Sequence, residues 1–211
     1  MTTLAPTARR SVLADRVFPR TLAMDAVLVV AGAALVTVLA QIAIPMWPVP
    51  ITMQTFGVLL VGTVLGPWRG ASSLALYLVL GVIGLPVFSD GKSGSLFAIP
   101  SGGFIVAFIV SAFLVGWLAS RQWDRKVIGT IVSFLAGTVV MYAIGLPWLY
   151  ISLQNLGSSI WHGALGYDTL IAATIGTGLL PFLIGDALKA ALAGVLLPGT
   201  WRLVNRADRA K

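Results

Sequence analysis

Charge is absent from three long stretches of this chain. No Asp, Glu, Lys or Arg occurs from residue 26 to 68, from 93 to 120, or from 127 to 167. A helix packed on a soluble core shows water a polar face, and runs of this length leave none. The hydrocarbon slab of a bilayer requires about 20 consecutive apolar residues per helix, which these runs can supply. The exceptions therefore stand out. Asp186 and Lys189 are charged, three residues apart, and lie inside the last apolar run. Ionised groups at that depth cost about 2.5–3.5 kcal/mol each on insertion scales and mark functional sites by default.

Composition agrees. Only 10% of the 211 residues are charged, against about 25% in a soluble domain. One integral membrane domain without a soluble appendage is expected. Cys is absent, which excludes disulfide and thiol chemistry. With no Glu and a single His, a multi-histidine metal site within one chain is excluded as well. No cofactor is expected. The net charge of +7 raises nucleic acid as a partner. The basic residues sit at span ends instead of forming one stripe, so they fit anionic lipid headgroups and not nucleic acid. There is no Walker A sequence, so the chain is not expected to hydrolyse ATP itself.

Six apolar segments can be drawn, at about 22–44, 54–66, 70–86, 103–120, 127–147 and 179–198. The expected fold is an all-α integral membrane protein, a bundle of six transmembrane helices over residues 21–200. Residues 1–20 and 201–211 form cytoplasmic segments at its two ends. Proline sets the cuts, because it lacks an amide hydrogen and disfavours helix at the preceding residue. Pro45, Pro48 and Pro50 break the first run, Gly66-Pro67 closes the second, and Pro86 and Pro147 end the third and fifth. With six spans, twelve Lys and Arg residues fall on one side and only Lys92 on the other. The positive-inside rule then makes both termini cytoplasmic. The Arg9-Arg10 pair reads as inside charge flanking a retained first span, since no small-x-small cleavage site follows it. The outer loops are the elaborate ones, and the longest holds residues 166–176, a candidate short surface helix. A site opening on that face is expected.

Four features carry candidate chemistry. Asp186 and Lys189 share one helix face, and Pro181 is placed to begin that helix. A self-neutralising pair or a snorkelling lysine is the plainer reading. Thr52 and Gln54 are polar groups at the mouth of the second span, or simply a cap and a first-turn residue. Ser101, Gly102 and Gly103, before Phe104, expose backbone amides at a helix start, which favours an anion, although an ordinary turn has the same sequence. Small-residue spacings (Gly62 with Gly66, Ala112 with Gly116, Ala187 with Ala191, Ala190 with Gly194) suit close helix approach.

Taken in order, these segments resemble a known family. They are Pro48-Val49-Pro50-Ile51-Thr52-Met53-Gln54-Thr55-Phe56-Gly57, Leu65-Gly66-Pro67-Trp68-Arg69-Gly70, Gly84-Leu85-Pro86-Val87-Phe88, Pro100-Ser101-Gly102-Gly103-Phe104 and Pro181-Phe182-Leu183-Ile184-Gly185-Asp186-Ala187-Leu188-Lys189. Over roughly residues 20–200 the chain is similar to the BioY family, the biotin-specific substrate-binding (S) components of energy-coupling factor transporters. The resemblance implies a non-enzymatic transporter subunit in the plasma membrane of a prokaryote. It implies a site near the outer face, closed by the first and third outer loops. The Asp and Lys matching Asp186 and Lys189 would contact biotin, and Gln54 and the turn from Gly102 to Phe104 would line the site. It also implies a membrane coupling protein and two cytoplasmic ATPases as partners, and a subunit that topples to carry its vitamin inward.

Biotin offers a ureido group that donates and accepts, an apolar bicycle and a carboxylate tail. Asp186 suits the ureido N–H groups, and Lys189 the carbonyl or the carboxylate. Trp47, Tyr77 and Phe88 are candidates to pack on the rings and chain. Lys92 and the amides of residues 101–103 compete for the carboxylate. The first span lacks the Ala-x-x-x-Ala spacing often found where S components dock, so the docking face stays open, as does the oligomeric state, a homo-oligomer included. Two other readings remain: an S component for a different vitamin, and an intramembrane serine hydrolase built on Ser101 and His162. The residues before Ser101 do not form a Gly-x-Ser-Gly nucleophile motif.

Overall fold

The computed structural model describes residues 12–209. Arg9, Arg10 and Lys211, counted above as inside charges, lie outside the described residues, as does the side chain of Arg209. A short helix α1 (Ala14–Val17) leads into α2 (Leu22–Ala40), whose N-terminus is capped by the Thr21 hydroxyl accepting from the Met24 amide at 3.2 Å. A two-residue ribbon follows, in which β1 (Ala43–Ile44) pairs antiparallel with β2 (Ile51–Thr52). Then come α3 (Gln54–Leu65), α4 (Pro67–Val82), α5 (Gly102–Ser120), α6 (Val127–Leu156), α7 (Leu170–Gly178) and α8 (Leu180–Arg209). The protein is thus mostly helical and membrane-embedded in character. Helices α2, α5 and α6 and the α7–α8 stretch are long and apolar enough to cross a membrane. At 1.5 Å per residue, the 12-residue α3 reaches only about 18 Å.

Helix α5 occupies the centre. Of its apolar window 61% is buried inside the molecule, against 22% for α2. Small residues make this possible. A Cβ on Gly62 would collide with the carbonyl of Ala112, and one on Gly70 would lie 2.7 Å from the Cα of Gly62. A Cβ on Gly116 would lie 2.5 Å from the carbonyl carbon of Gly66. The spacings Gly62 with Gly66 and Ala112 with Gly116 therefore meet at one crossing of α3, α4 and α5. Gly66 serves twice, because its φ of +88° ends α3 in a region closed to most side chains and Pro67 then starts α4.

One proline cut and one segment end, at Pro147 and at residue 198, differ from expectation. Helix α6 continues through Pro147 to Leu156, and α8 through Pro198 to Arg209. Proline removes one amide donor, and within a packed membrane helix neighbouring groups absorb that loss. The loop after α6 is shorter in consequence. It holds a π-helical turn (Ser159–Ala164) and then α7, whose start is capped by Thr169.

The molecule has two chemically different ends. At one, Arg69 bonds Asp15 at 2.5 Å and Asp25 at 3.0 Å, while Arg20 holds the other Asp15 oxygen at 2.7 Å. The turn between α5 and α6 packs there on α8, with the Trp201 indole donating to Asp124 at 2.5 Å. At the opposite end lie the ribbon, the loop 83–101 and the heads of α3, α5 and α8. Gln41 staples that loop to α2, donating to the Phe88 carbonyl and accepting from the Gly91 amide, each at 3.1 Å.

Candidate ligand-binding site

A cavity of about 270 Å³ opens among the helix heads at the ribbon end. The loop between β1 and β2 supplies Trp47, Pro48, Val49 and Pro50, and the loop 83–101 supplies Phe88, Ser89, Lys92 and Ser101. Deeper walls come from Thr52, Gln54 and Thr55 around the start of α3, Phe104 and Phe108 of α5, Thr138, Met141 and Tyr142 of α6, and Phe182 and Asp186 of α8. Six aromatic side chains, from two loops and three helices, thus surround a limited set of polar groups, the usual make-up of a small-molecule site.

Asp186 is the polar centre. Its residue is only 8% exposed. One carboxylate oxygen accepts from the Tyr142 hydroxyl at 2.5 Å and the other from the Lys189 ammonium at 3.3 Å. Lys189 also donates to the Thr52 carbonyl at 2.9 Å and the Thr55 hydroxyl at 2.7 Å. Spacing of three puts both charges on the inward stripe of α8, together with Phe182, Ala190 and Ala193. Pro181 is the second residue of that helix, and Gly185 faces open space instead of a close neighbour.

Gln54 and Thr52 sit at the head of α3. The Thr52 hydroxyl accepts the Gln54 amide hydrogen at 3.2 Å, although the N-cap position itself is Met53, and Thr52 also lines the cavity. The Gln54 side chain lines the cavity too, and its amide nitrogen donates to the Tyr77 hydroxyl at 2.6 Å.

Of the residues expected from sequence, Trp47, Thr52, Gln54, Phe88, Ser101, Phe104 and Asp186 are on the cavity wall. Tyr77 stands behind it, fully buried, supporting Gln54 and meeting Phe88 edge-on at 5.5 Å. Lys189 adjoins Asp186 one turn further along α8, with its ammonium 3.3 Å from the carboxylate. Gly103 is pressed against Trp148, where a Cβ would overlap the side chain, and a Cβ on Gly102 would collide with the Leu96 carbonyl oxygen, with the Trp148 indole 3.1 Å away. Their smallness admits Trp148, which also stacks on Phe97 with ring centres 5.1 Å apart. Ser101 and His162 are not brought together. His162 is exposed in the π-helical turn, with Nδ1 3.0 Å from the Tyr167 carbonyl oxygen. Sequence reasoning overlooked Tyr142 and Thr138. The available signal was two polar residues one turn apart in an otherwise apolar run, as with Asp186 and Lys189.

A sequence model of the BioY family matches residues 9–206. The chain belongs to the BioY family. Among its BioY relatives, the biotin transporter BioY of Rhizobium etli is 37% identical over 157 residues, covering 71% of this chain and 76% of that protein. The biotin transporter BioY2 of Lactococcus lactis is 38% identical over 170 residues, covering 79% and 90%. A crystal structure of the S-component for biotin from an ECF-type ABC transporter matches with a TM-score of 0.68 at 28% identity, over 85% of this chain and 92% of that one. BioY membership and that shared fold account for the membrane-embedded helical architecture described above.

Proposed function

We propose that this BioY chain is the biotin-binding membrane subunit of an uptake system. It captures the vitamin at the outer face and delivers it inward with an ATP-driven module. The observation that carries the reading is the buried Asp186 carboxylate at the wall of an aromatic-lined cavity. A carboxylate offers about four acceptor sites, and Tyr142 and Lys189 use two. The remainder suits the two ureido N–H groups of biotin. Gln54 adds an amide beside them, and Trp47, Phe88 and Phe104 supply apolar wall for the bicycle. Lys92, mostly exposed, suits the carboxylate tail at the mouth, with Ser101 nearby on the wall.

In this reading α2 to α6 and α8 are six spanning helices, with α7 lying at the outer surface. Residues 21–200 form the membrane domain, and both terminal segments are cytoplasmic in the plasma membrane of a prokaryote. The chain needs no cofactor and no ATPase site of its own. A membrane coupling protein and two cytoplasmic ATPases supply the energy, and the subunit topples to release its load.

Titrating purified, detergent-solubilised protein with biotin while following tryptophan fluorescence tests this, with Trp47 on the cavity wall as a reporter. Saturable binding is expected, weakened about tenfold or more in folded Asp186→Asn, the scale of a lost hydrogen bond to a charge. Unchanged affinity in that variant would remove Asp186 from the site. No binding by folded wild-type protein would overturn the ligand.

A further inference from the structure

One side of the loop 83–101 is held by packing on α4. Phe88 is 2% exposed, its ring meets Tyr77 edge-on, and a Cβ on Gly81 would overlap that ring. The Gly94 amide also donates to the Gly81 carbonyl at 2.8 Å. The side facing α2 is held differently. There the loop meets Gln41, the residue that ends α2.

Residues 88–92 form a small closed ring. The Phe88 amide donates to the Lys92 carbonyl at 3.0 Å, and the Lys92 amide to the Ser89 carbonyl at 3.3 Å. Asp90 and Gly91 make the reversal, with φ of +59° and +66°. This closure uses neither the Phe88 carbonyl nor the Gly91 amide. One side chain takes both. The Gln41 amide nitrogen donates to the Phe88 carbonyl and its oxygen accepts from the Gly91 amide, each at 3.1 Å. The same nitrogen donates to the Thr37 carbonyl at 3.2 Å, one turn back on α2. A carboxamide both donates and accepts, so it can grip the two sides of the ring and its own helix at once.

The ring brings Phe88, Ser89 and Lys92 to the cavity wall, whereas Gln41 does not line it. Phe88 keeps its place through packing. Lys92 has no such support. Its side chain is 56% exposed, and the Asp90 carboxylate 3.2 Å away belongs to the same ring. An ion pair inside the ring cannot fix the ring against the bundle. The grip of Gln41 can. We propose that Gln41 is a positioning residue for the ligand: it clasps the ring 88–92 to α2 and so sets where Ser89 and Lys92 stand at the mouth, without touching the ligand itself. The effect on the ligand rests on the biotin-binding reading; the hold on the ring does not.

The test is a double-mutant cycle read by biotin titration. Gln41→Met keeps the length of the side chain and removes its hydrogen bonds. It is expected to weaken biotin binding about tenfold in the otherwise wild-type protein, the scale of two lost hydrogen bonds. In the Lys92→Met background the same substitution is expected to cost less than about threefold, because the group it positions is gone. A role in stability alone would give equal losses in both backgrounds. Equal losses, or no loss in either, would overturn the proposal.

A second measurement needs no ligand. Lys92 is the single Lys or Arg between Arg69 and Arg121, so trypsin can cut this stretch only after Lys92. That cut requires the ring to open locally. Gln41→Met is expected to release the new Ser93 terminus about tenfold faster than wild type. Gln41→Glu keeps an acceptor for Gly91 but no donor, so its rate should fall between the two, and it replaces Gln41→Met if that variant does not fold. An unchanged rate would overturn the hold on the ring, whatever the ligand. Failure of folded wild-type protein to bind biotin, with faster cleavage in the variants, would sink the biotin reading and leave the hold in place.

Discussion

Tyr142 shows how one side chain prepares another. Its hydroxyl donates to Asp186 at 2.5 Å, and its ring meets Phe104 edge-on at 6.3 Å. The phenol is therefore held by packing while it directs a carboxylate oxygen. Tyr142→Phe keeps the ring and removes the donor. The expected outcome is a folded protein with biotin affinity reduced about tenfold, read by the same fluorescence titration. Asp124 is a contrasting case outside the spanning segments. It is 1% exposed, and burial pushes its carboxyl above the ordinary 3.8, opposed by the Trp201 hydrogen bond and the nearby Arg125 charge. The fold thus favours the protonated acid. That contribution is whole below the ordinary value and is lost as pH rises through the folded one. Asp124→Asn keeps an acceptor for Trp201 without the buried charge. Melting below pH 3.8 and at neutral pH should show a smaller fall for the variant than for wild type. An equal fall would rule out Asp124 as its source.

At the scale of elements, the bundle stands on backbone contact. Gly62→Val would drive a branched side chain into the Ala112 carbonyl. Overpacking of that kind costs about 1–3 kcal/mol or more, so a melting point lower by several degrees is expected. Much of this was legible beforehand, because the hydrocarbon slab demands long apolar runs and small residues at crossings. The segments drawn at 103–120 and 54–66 correspond closely to α5 and α5's neighbour α3. The ends at Pro147 and Pro198 were not legible, since a packed helix tolerates proline that a solvated one would not. The task of Gly102 and Gly103 was hidden for another reason. Their partner Trp148 is about 45 positions away, and nothing local distinguishes a glycine that binds an anion from one that admits an indole. The acceptors of Lys189 were hidden in the same way, whereas the charge itself was conspicuous in an apolar run.

For the whole molecule, the decisive property is the difference between its ends. Arg16, Arg20, Arg69, Arg121, Arg125 and Lys126 lie in or beside the turns away from the cavity, and Lys92 lies at its mouth. The proposed orientation follows from that distribution. Because the chain has no Cys, single substitutions report sidedness without background. In intact cells, Ser93→Cys should react with a membrane-impermeant maleimide, and Asn205→Cys only after permeabilisation; both positions are exposed. The reverse pattern would invert the topology and place the cavity inside.

The triple crossing at Gly62, Gly70 and Gly116 has a mechanical meaning. Three helices whose backbones touch have no slack in which to slide past one another, so the centre of the bundle behaves as a stiff hull. A hull of this kind cannot open one gate by shearing against the other. Its mouth flexes where loops form the rim. On the proposed reading, such a hull carries its freight inward by turning as one piece, with the torque applied from outside by whatever grips its flank.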